Sequence, residues 1–436
     1  MTGAAEPASS PPPAMKRRHV AAATIGNALE FYDFLIYAYF SIQIGHAFFP
    51  AQSAYASLML SLATFGAGFV TRPIGALVIG AYSDRVGRRP AMMLCFVLIG
   101  LSIVTMALIP PYAVIGVAAP ILAVIARMVQ GFSLGGEVGS NTAYLLEIAP
   151  EDKRGLVVSW QGASQMIAWM VGGCVGILLT TILPPGLLEA YGWRIAFLLG
   201  ATVVPFGLWL RTNLPETRAG VVKSEPSRLR QARAHWRVLL IGLFGIGAST
   251  ISTYVFAYSV TYAQATLHMP AQAGFVGETL GNALGIPAIL LGGWLSDRYG
   301  RWGVNVFGNL LVVISTLPIF WWITVTRSDF ALIAGVAFLG ITTSIPWGSF
   351  YAGLAESLPS AIRGGGFGTV YSVAVAVFGG TTQLVVTWLI DLTGNALAPA
   401  WYVIAAGAIG QVALMLMVES APVRRSFQER YRLNPI

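Results

Sequence analysis

Twelve long runs of apolar residues, separated by short polar or Pro/Gly-containing breaks, organise the chain. They cover 21–45, 57–80, 91–110, 114–141, 157–181, 194–212, 237–263, 273–296, 303–326, 330–357, 366–390 and 399–419. Each comes close to or exceeds the roughly 20 residues that a helix needs to cross a hydrocarbon core of about 30 Å. Lipid offers no water to backbone N–H and C=O groups, so runs of this length are predicted as helices. The longest polar interruption, 213–236 (NLPETRAGVVKSEPSRLRQARAHW), leaves six runs on either side. The expected fold is an all-α membrane protein of twelve transmembrane helices in two pseudo-symmetric six-helix halves. Its expected parts are a tail at 1–20, a bundle at 21–212, a linker at 213–236, a second bundle at 237–419 and a tail at 420–436.

Composition strengthens this reading. Of 436 residues, 56% are hydrophobic and only 10% charged, with a mean hydropathy of +0.70. Soluble domains carry about 25% charged residues, and a chain this apolar could not wet its own surface. Residues 1–15 are rich in Pro, Ser and Ala, the composition of a disordered tail. The first apolar run is about 25 residues long and contains Glu30 and Asp33, which fits an uncleaved span better than a signal peptide. Two cysteines, Cys95 and Cys174, form no disulfide framework, and four scattered histidines lack metal-ligand spacing. No metal or cofactor is expected.

The net charge of +8 would raise the question of nucleic acid in a soluble protein. With an even number of spans, 22 of the 26 Lys and Arg residues fall on one side: at 16–18, in the 85–89 and 153–154 loops, in the linker and at its edges (Arg211 and Arg237), at 298, 301 and 363, and in the final tail. The positive-inside rule then puts both termini in the cytoplasm of a multi-pass inner (plasma) membrane protein. The basic excess is a topology signal, so lipid and not nucleic acid is the expected macroscopic partner.

Two short segments recur. Ser83-Asp84-Arg85-Val86-Gly87-Arg88 returns as Ser296-Asp297-Arg298-Tyr299-Gly300-Arg301, 213 residues later. Glu147-Ile148-Ala149-Pro150 with Arg154-Gly155 returns as Glu356-Ser357-Leu358-Pro359 with Arg363-Gly364, 209 residues later. Unrelated motifs displaced by nearly equal amounts indicate duplication of a six-span unit, a common construction of transporters. The loops read as polar latches: Asp84 and Asp297 can meet a cation or a helix N-terminus. Gly87 and Gly300 permit a tight reversal, and Arg85, Arg88, Arg298 and Arg301 can reach carboxylates such as Glu147 and Glu356. The plainer reading is a basic loop that only fixes topology, but its duplication favours a gate.

This loop resembles the signature of the major facilitator superfamily. Arg127-Met128-Val129-Gln130-Gly131-Phe132-Ser133 resembles the superfamily's RxxQG motif, which implies proton coupling. The Gly-Pro antiporter motif has no match in 157–181, so symport is the implied mode. Gly26-Asn27-Ala28-Leu29-Glu30-Phe31-Tyr32-Asp33-Phe34 is similar to the first span of the metabolite:proton symporter family, whose members carry citrate, 2-oxoglutarate, shikimate and proline or betaine. Gly68-Phe69-Val70-Thr71-Arg72-Pro73-Ile74-Gly75-Ala76, Gln130–Glu137, Ser159-Trp160-Gln161 and Gly192-Trp193-Arg194 fit it too. Gly80-Ala81-Tyr82 and Ser159–Gln165 most resemble the citrate and tricarballylate carriers, with Phe378–Thr382 compatible. The carboxy half matches more loosely.

Charges at bilayer depth cost several kcal/mol unless paired or wet, and commonly mark a pathway. Asn27, Glu30 and Asp33 are three apart and share a helix face. Neighbouring carboxylates in a partly dry cavity favour proton binding, so Glu30 and Asp33 are candidates for proton coupling; bracing Arg127 is the alternative, and the two roles are compatible. Glu137 is either a packing group or a further proton site. Arg127, with Gln130, could bind a substrate carboxylate bidentately or neutralise span one. Arg72, followed by Pro73, reads as a gating residue, with a solute ligand as the alternative; two intramembrane cations favour an anionic substrate. Asn27 is a candidate solute ligand, as are Gln161 and Gln165, which with Trp169 lie four apart on span five and are expected to line the cavity. Tyr254, Tyr258 and Tyr262 repeat similarly on span seven; these, with Asn282, Trp347 and Tyr351, are either packing groups or cavity wall. No deep charge is expected in the carboxy half.

The resulting expectation is a secondary active transporter, working as a monomer, that couples proton entry to uptake of a small organic acid, with citrate or a related tricarboxylate leading. Another metabolite (2-oxoglutarate, shikimate) or a zwitterion such as proline or betaine is the alternative. The residues show no nucleophile–base pair at depth that an intramembrane enzyme would need, and no sensory domain.

Overall fold

The computed structural model describes residues 17–86, 88–135, 137–202, 204–205, 208, 233–359, 362–418 and 420. Every regular element among them is helical. Tail residues 1–16 and 421–436, and linker residues 213–232, lie outside the described residues.

The apolar runs become helices close to their expected bounds. Span one is Arg17–Tyr39 continued by Ser41–Phe48; span two is Ala54–Val70 and Arg72–Val86; span three is Arg88–Leu108. Span four is Ala118–Leu134 and Glu137–Ile148, span five Arg154–Ile182, and span six begins as Trp193–Ala201. In the second half, span seven is Trp236–Ala257 and Ser259–Ala265, span eight Ala271–Tyr299, span nine Arg301–Thr326 and span ten Asp329–Glu356. Span eleven runs Arg363–Ala374, a π-helical turn Val375–Gly379, then Gly380–Thr393; span twelve is Ala398–Met415. Among the described residues, eight stretches are each long and apolar enough to cross a membrane alone: those of spans two, five and seven to twelve. Span one starts at Arg17, inside the expected tail, because helical hydrogen bonding need not stop where the hydrocarbon does.

Local chemistry sets several ends. Ser53 and Ser328 N-cap spans two and ten, each hydroxyl accepting the N–H of the residue three further on (3.1 and 3.2 Å). Gly300 turns the chain between spans eight and nine at φ +101°, a backbone that excludes most side chains. Spans one and seven are interrupted at Phe40 and Tyr258, an offset close to that of the duplicated loops, and neither position is Pro or Gly.

Side chains such as Val70, Leu77, Phe307 and Phe330 stand out from the helices, the pattern of a lipid-facing surface. The halves meet through small residues. A Cβ on Gly155 of span five would stand 2.5 Å from the Gly293 carbonyl oxygen of span eight, so only glycine fits there. The same pair of helices stays in contact toward the other end, where Gly173 meets Thr279 and Gly176 meets Phe275. The end carrying loop 296–301 is the latch end, the opposite one the far end.

Candidate functional site

Midway between the two ends lies a narrow cavity of about 40 Å³, much smaller than an open small-molecule site. Span one contributes Phe31, span five Gln165 and Trp169, span seven Thr250, Thr253 and Tyr254, span ten Trp347 and Tyr351, and span eleven Tyr371. Trp347 stacks on Tyr351 with centroids 4.9 Å apart, and its indole N–H donates to Thr253 (3.1 Å). Among the described residues the Thr250 hydroxyl has no hydrogen-bond partner and stays available to a solute, while the Gln165 side chain reaches the phenols of Tyr351 and Tyr371. Thr250, Thr253 and Tyr371 were not anticipated from sequence; their hydroxyls within apolar runs were the available signal.

Two guanidinium groups stand behind this wall. Arg72 is buried, 4.5 Å from the ring centroids of both Phe34 and Phe69. Its Nε and Nη2 lack hydrogen-bond partners among the described residues. Its charge reaches Tyr254 and Tyr371, both of which line the cavity. Arg127 is fully buried over Phe34, Tyr37 and Phe65, with the Phe34 centroid at 4.2 Å, and donates to the Gln130 side-chain oxygen. Such cation–π contacts are worth about 0.5–2 kcal/mol each and hold the planar group in a fixed orientation.

Other expected residues lie elsewhere. Asn27 and Gln161 bind each other across spans one and five: Asn27 donates to the Gln161 carbonyl (3.1 Å) and the Ser164 hydroxyl (2.7 Å), and Gln161 returns a bond to Asn27 (3.0 Å). Gln161 also accepts from Asn141. That amide cluster joins helices beside the cavity without lining it. Of the tyrosine stripe, Tyr254 alone lines the cavity. The break at Tyr258 redirects the helix, so Tyr258 accepts from Thr387 (2.8 Å) and Tyr262 donates to the Ala396 carbonyl (2.7 Å). Glu30 and Asp33 lie on the first helix, Asp84 and Arg85 on span two, Arg88 on span three and Glu137 on span four; their side chains, and Gly87 altogether, lie outside the described residues.

The expectation of an uncharged carboxy half is corrected by Glu278 of span eight. This carboxylate has no solvent exposure. It accepts from Tyr39 of span one (3.2 Å), Ser259 of span seven (3.2 Å) and Asn282 one turn on (3.3 Å). Asn282 therefore holds a carboxylate instead of lining the cavity. A lone acid in a glycine-rich apolar run is the sequence signal of this site.

At the latch end the second SDR-type loop forms a closed network. Asp297 accepts the backbone N–H groups of Gly155 (2.7 Å) and Leu156 (2.9 Å) at the N-terminus of span five, where the helix dipole favours an anion. Arg301 is fully buried. It donates to Asp297 and Ser296 (both 2.7 Å) and forms a two-pronged pair with Glu356 of span ten (3.1 Å for each bond). Ser420 adds a further bond to Glu356 (3.0 Å). Arg298 lies instead over the Trp294 ring at 5.0 Å. Arg363 donates to the Ala355 carbonyl (2.9 Å) within reach of the charge of Glu147, whose side chain is exposed. At the far end, Tyr39 meets Glu278 and Ser41 lies 3.1 Å from Thr261. Inter-half contacts thus flank the cavity on both sides.

Comparison with known proteins agrees with this architecture. The chain is 36% identical over 403 residues to the citrate-proton symporter of Salmonella typhi, covering 90% of this chain and 92% of that one. It is 33% identical over 407 residues to a putative proline/betaine transporter of Staphylococcus aureus (strain COL), covering 90% and 86%. The crystal structure of a D-xylose-proton symporter superimposes with a TM-score of 0.74 at 18% identity, over 93% of this chain and 98% of that one. That likeness carries the twelve-helix fold. The Major Facilitator Superfamily model matches residues 23–380. Two six-helix halves closed over a central cavity, and a match across most of the chain, make this protein a member of the Major Facilitator Superfamily.

Proposed function

We propose that this protein is a secondary active transporter that couples inward proton movement to uptake of a small organic acid, citrate or a related tricarboxylate leading. One observation carries the anionic substrate: among the described residues, the unpartnered polar groups at and behind the cavity wall include the Thr250 hydroxyl and the donors of Arg72. An acceptor-rich, negatively charged solute would complete them. The citrate-proton symporter relative supports the same class.

A second reading is proton-coupled uptake of proline or betaine. The stacked Trp347 and Tyr351 present aromatic faces of the kind that hold quaternary ammonium groups, and the S. aureus relative is named for such solutes.

In the leading reading, Arg127 and Arg72 provide the positive field, Gln165 and Tyr351 orient the solute, and Glu30 and Asp33 exchange the proton, with Glu137 as a further candidate. The bundles 21–212 and 237–419 rock about the cavity, and the latches hold one side shut in one state. The protein acts as a monomer in the inner (plasma) membrane, with both termini and the latch end cytoplasmic, supported by the one-sided distribution of Lys and Arg. Its work is binding and translocation, not catalysis.

The test is uptake of radiolabelled citrate, 2-oxoglutarate, shikimate and proline into proteoliposomes, with and without an inward proton gradient. Gradient-dependent citrate uptake is expected. Uptake of proline alone would replace the leading substrate with the second reading, and uptake indifferent to an uncoupler would overturn proton coupling.

A further inference from the structure

Resting on the proton-symport reading, we propose that Glu278 is a proton-binding site of the carboxy half whose occupancy is tied to closure of the far-end gate. The residue is completely buried in span eight, beyond the cavity. It lies 11 residues from the cavity-lining Ile289, about 16 Å along the helix at 1.5 Å per residue. Its three donors, Tyr39, Ser259 and Asn282, are all neutral. Among the described residues no Lys, Arg or His forms an ion pair with it. An ionised carboxylate kept from water without a cation costs several kcal/mol, and taking up a proton removes that cost.

Other ionisable groups do not supply the missing charge. Span one brings the Tyr39 phenol, and span five brings the Cys174 thiol beside that phenol. On span seven, Tyr262 turns away to the Ala396 carbonyl. The acids of span ten, Asp329 and Glu356, lie at its two ends.

What makes this carboxyl more than a buried acid is the position of its donors. Tyr39 immediately precedes the break in span one, and Ser259 immediately follows the break in span seven. The short outer segments, Ser41–Phe48 and Ser259–Ala265, touch through Ser41 and Thr261. If these segments part, Glu278 loses two donors and gains access to the far-side solution. If they meet, it is sealed. Tyr39 also donates weakly to the Trp169 carbonyl (3.5 Å), and Trp169 lines the cavity, so one phenol joins the proton site to the solute site. A solute that draws the gate shut therefore favours a proton on Glu278. The proton binds to a carboxylate oxygen from the far-side solution while the gate is open; with the gate shut and the latch end open it leaves the same oxygen for water in the cavity, on the side where Tyr39 meets Trp169, with no other bond changed.

The experiment compares two modes of transport in proteoliposomes, using radiolabelled citrate, or proline if wild-type protein takes up only that. Accumulation driven by a proton gradient requires a proton to be bound and released, whereas counterflow at equal pH does not. Glu278→Gln is expected to lose gradient-driven accumulation at least tenfold while counterflow stays within about twofold of wild type. Retained accumulation, or loss of both modes in protein of wild-type monodispersity, would overturn the proposal. Should Glu278→Gln fail to fold, Ser259→Ala decides. Removing a donor that favours the ionised form is expected to move the midpoint of the pH dependence of uptake upward by at least 0.5 unit, and an unmoved midpoint refutes the role. A wild-type protein with no gradient-driven uptake of either solute would instead overturn symport itself.

Discussion

Asp297→Asn tests whether the latch network holds a conformational state or only decorates a loop. The carboxylate accepts two first-turn N–H groups of span five and one Arg301 N–H, all at 2.7–2.9 Å. Hydrogen bonds to a charged group contribute about 1.5–3 kcal/mol each, and an anion at a helix N-terminus adds about 0.3–1 kcal/mol. The asparagine oxygen can keep one backbone amide satisfied, but the second amide and the buried Arg301 lose a charged acceptor. A net loss of about 2–3 kcal/mol from the closed state is therefore expected, a shift of roughly 30- to 150-fold at about 1.4 kcal/mol per decade. A protein nine-tenths closed at this end would fall below about one quarter closed. Spin labels on the exposed positions Asp152 and Tyr299, in a Cys95→Ala/Cys174→Ala background, report the separation of the halves by pulsed electron resonance. A major shift to longer distances is expected. A distribution identical to that of the parent would refute the reasoning, because three lost or weakened charge-assisted bonds would then have had no effect on closure.

Three further outcomes are expected. Arg127→Lys should reduce uptake at least tenfold at normal membrane abundance, since an ammonium cannot both stack on Phe34 and reproduce the planar donor set; wild-type uptake would leave Arg127 without the proposed role. Gly155→Ala should open the latch end in the same spin-label assay, because the new Cβ would stand 2.3 Å from Arg301 Nη1 and 2.5 Å from the Gly293 oxygen. Gln165→Ala should raise the KM for the transported acid roughly tenfold or more, the equivalent of losing one hydrogen bond to a charged solute, as measured from the concentration dependence of initial uptake.

Much of the fold was legible because hydropathy is a local property. Each span announced itself as an apolar run, and the duplicated loops revealed the two halves without any knowledge of contacts. The latch acid Asp297 was readable for the same reason: its motif occurs twice. What stayed hidden depends on distant partners. Asn27 and Gln161 each read as solute ligands, yet 134 residues apart they satisfy one another. The interruptions at Phe40 and Tyr258 carry no proline or glycine, so periodicity alone continued the tyrosine stripe through a helix that turns. Glu278 was visible as a residue but not as a site, because its meaning lies in donors from spans one and seven.

The ring of Phe34 has a consequence for how motion spreads. Arg72 of span two and Arg127 of span four both rest on it, at 4.5 and 4.2 Å. A single phenyl group thus serves as a common bearing for two like charges on different helices. When span one turns, neither arginine can keep its seat independently of the other. A change felt at one cation is passed to its twin through a side chain that bears no charge and binds no solute.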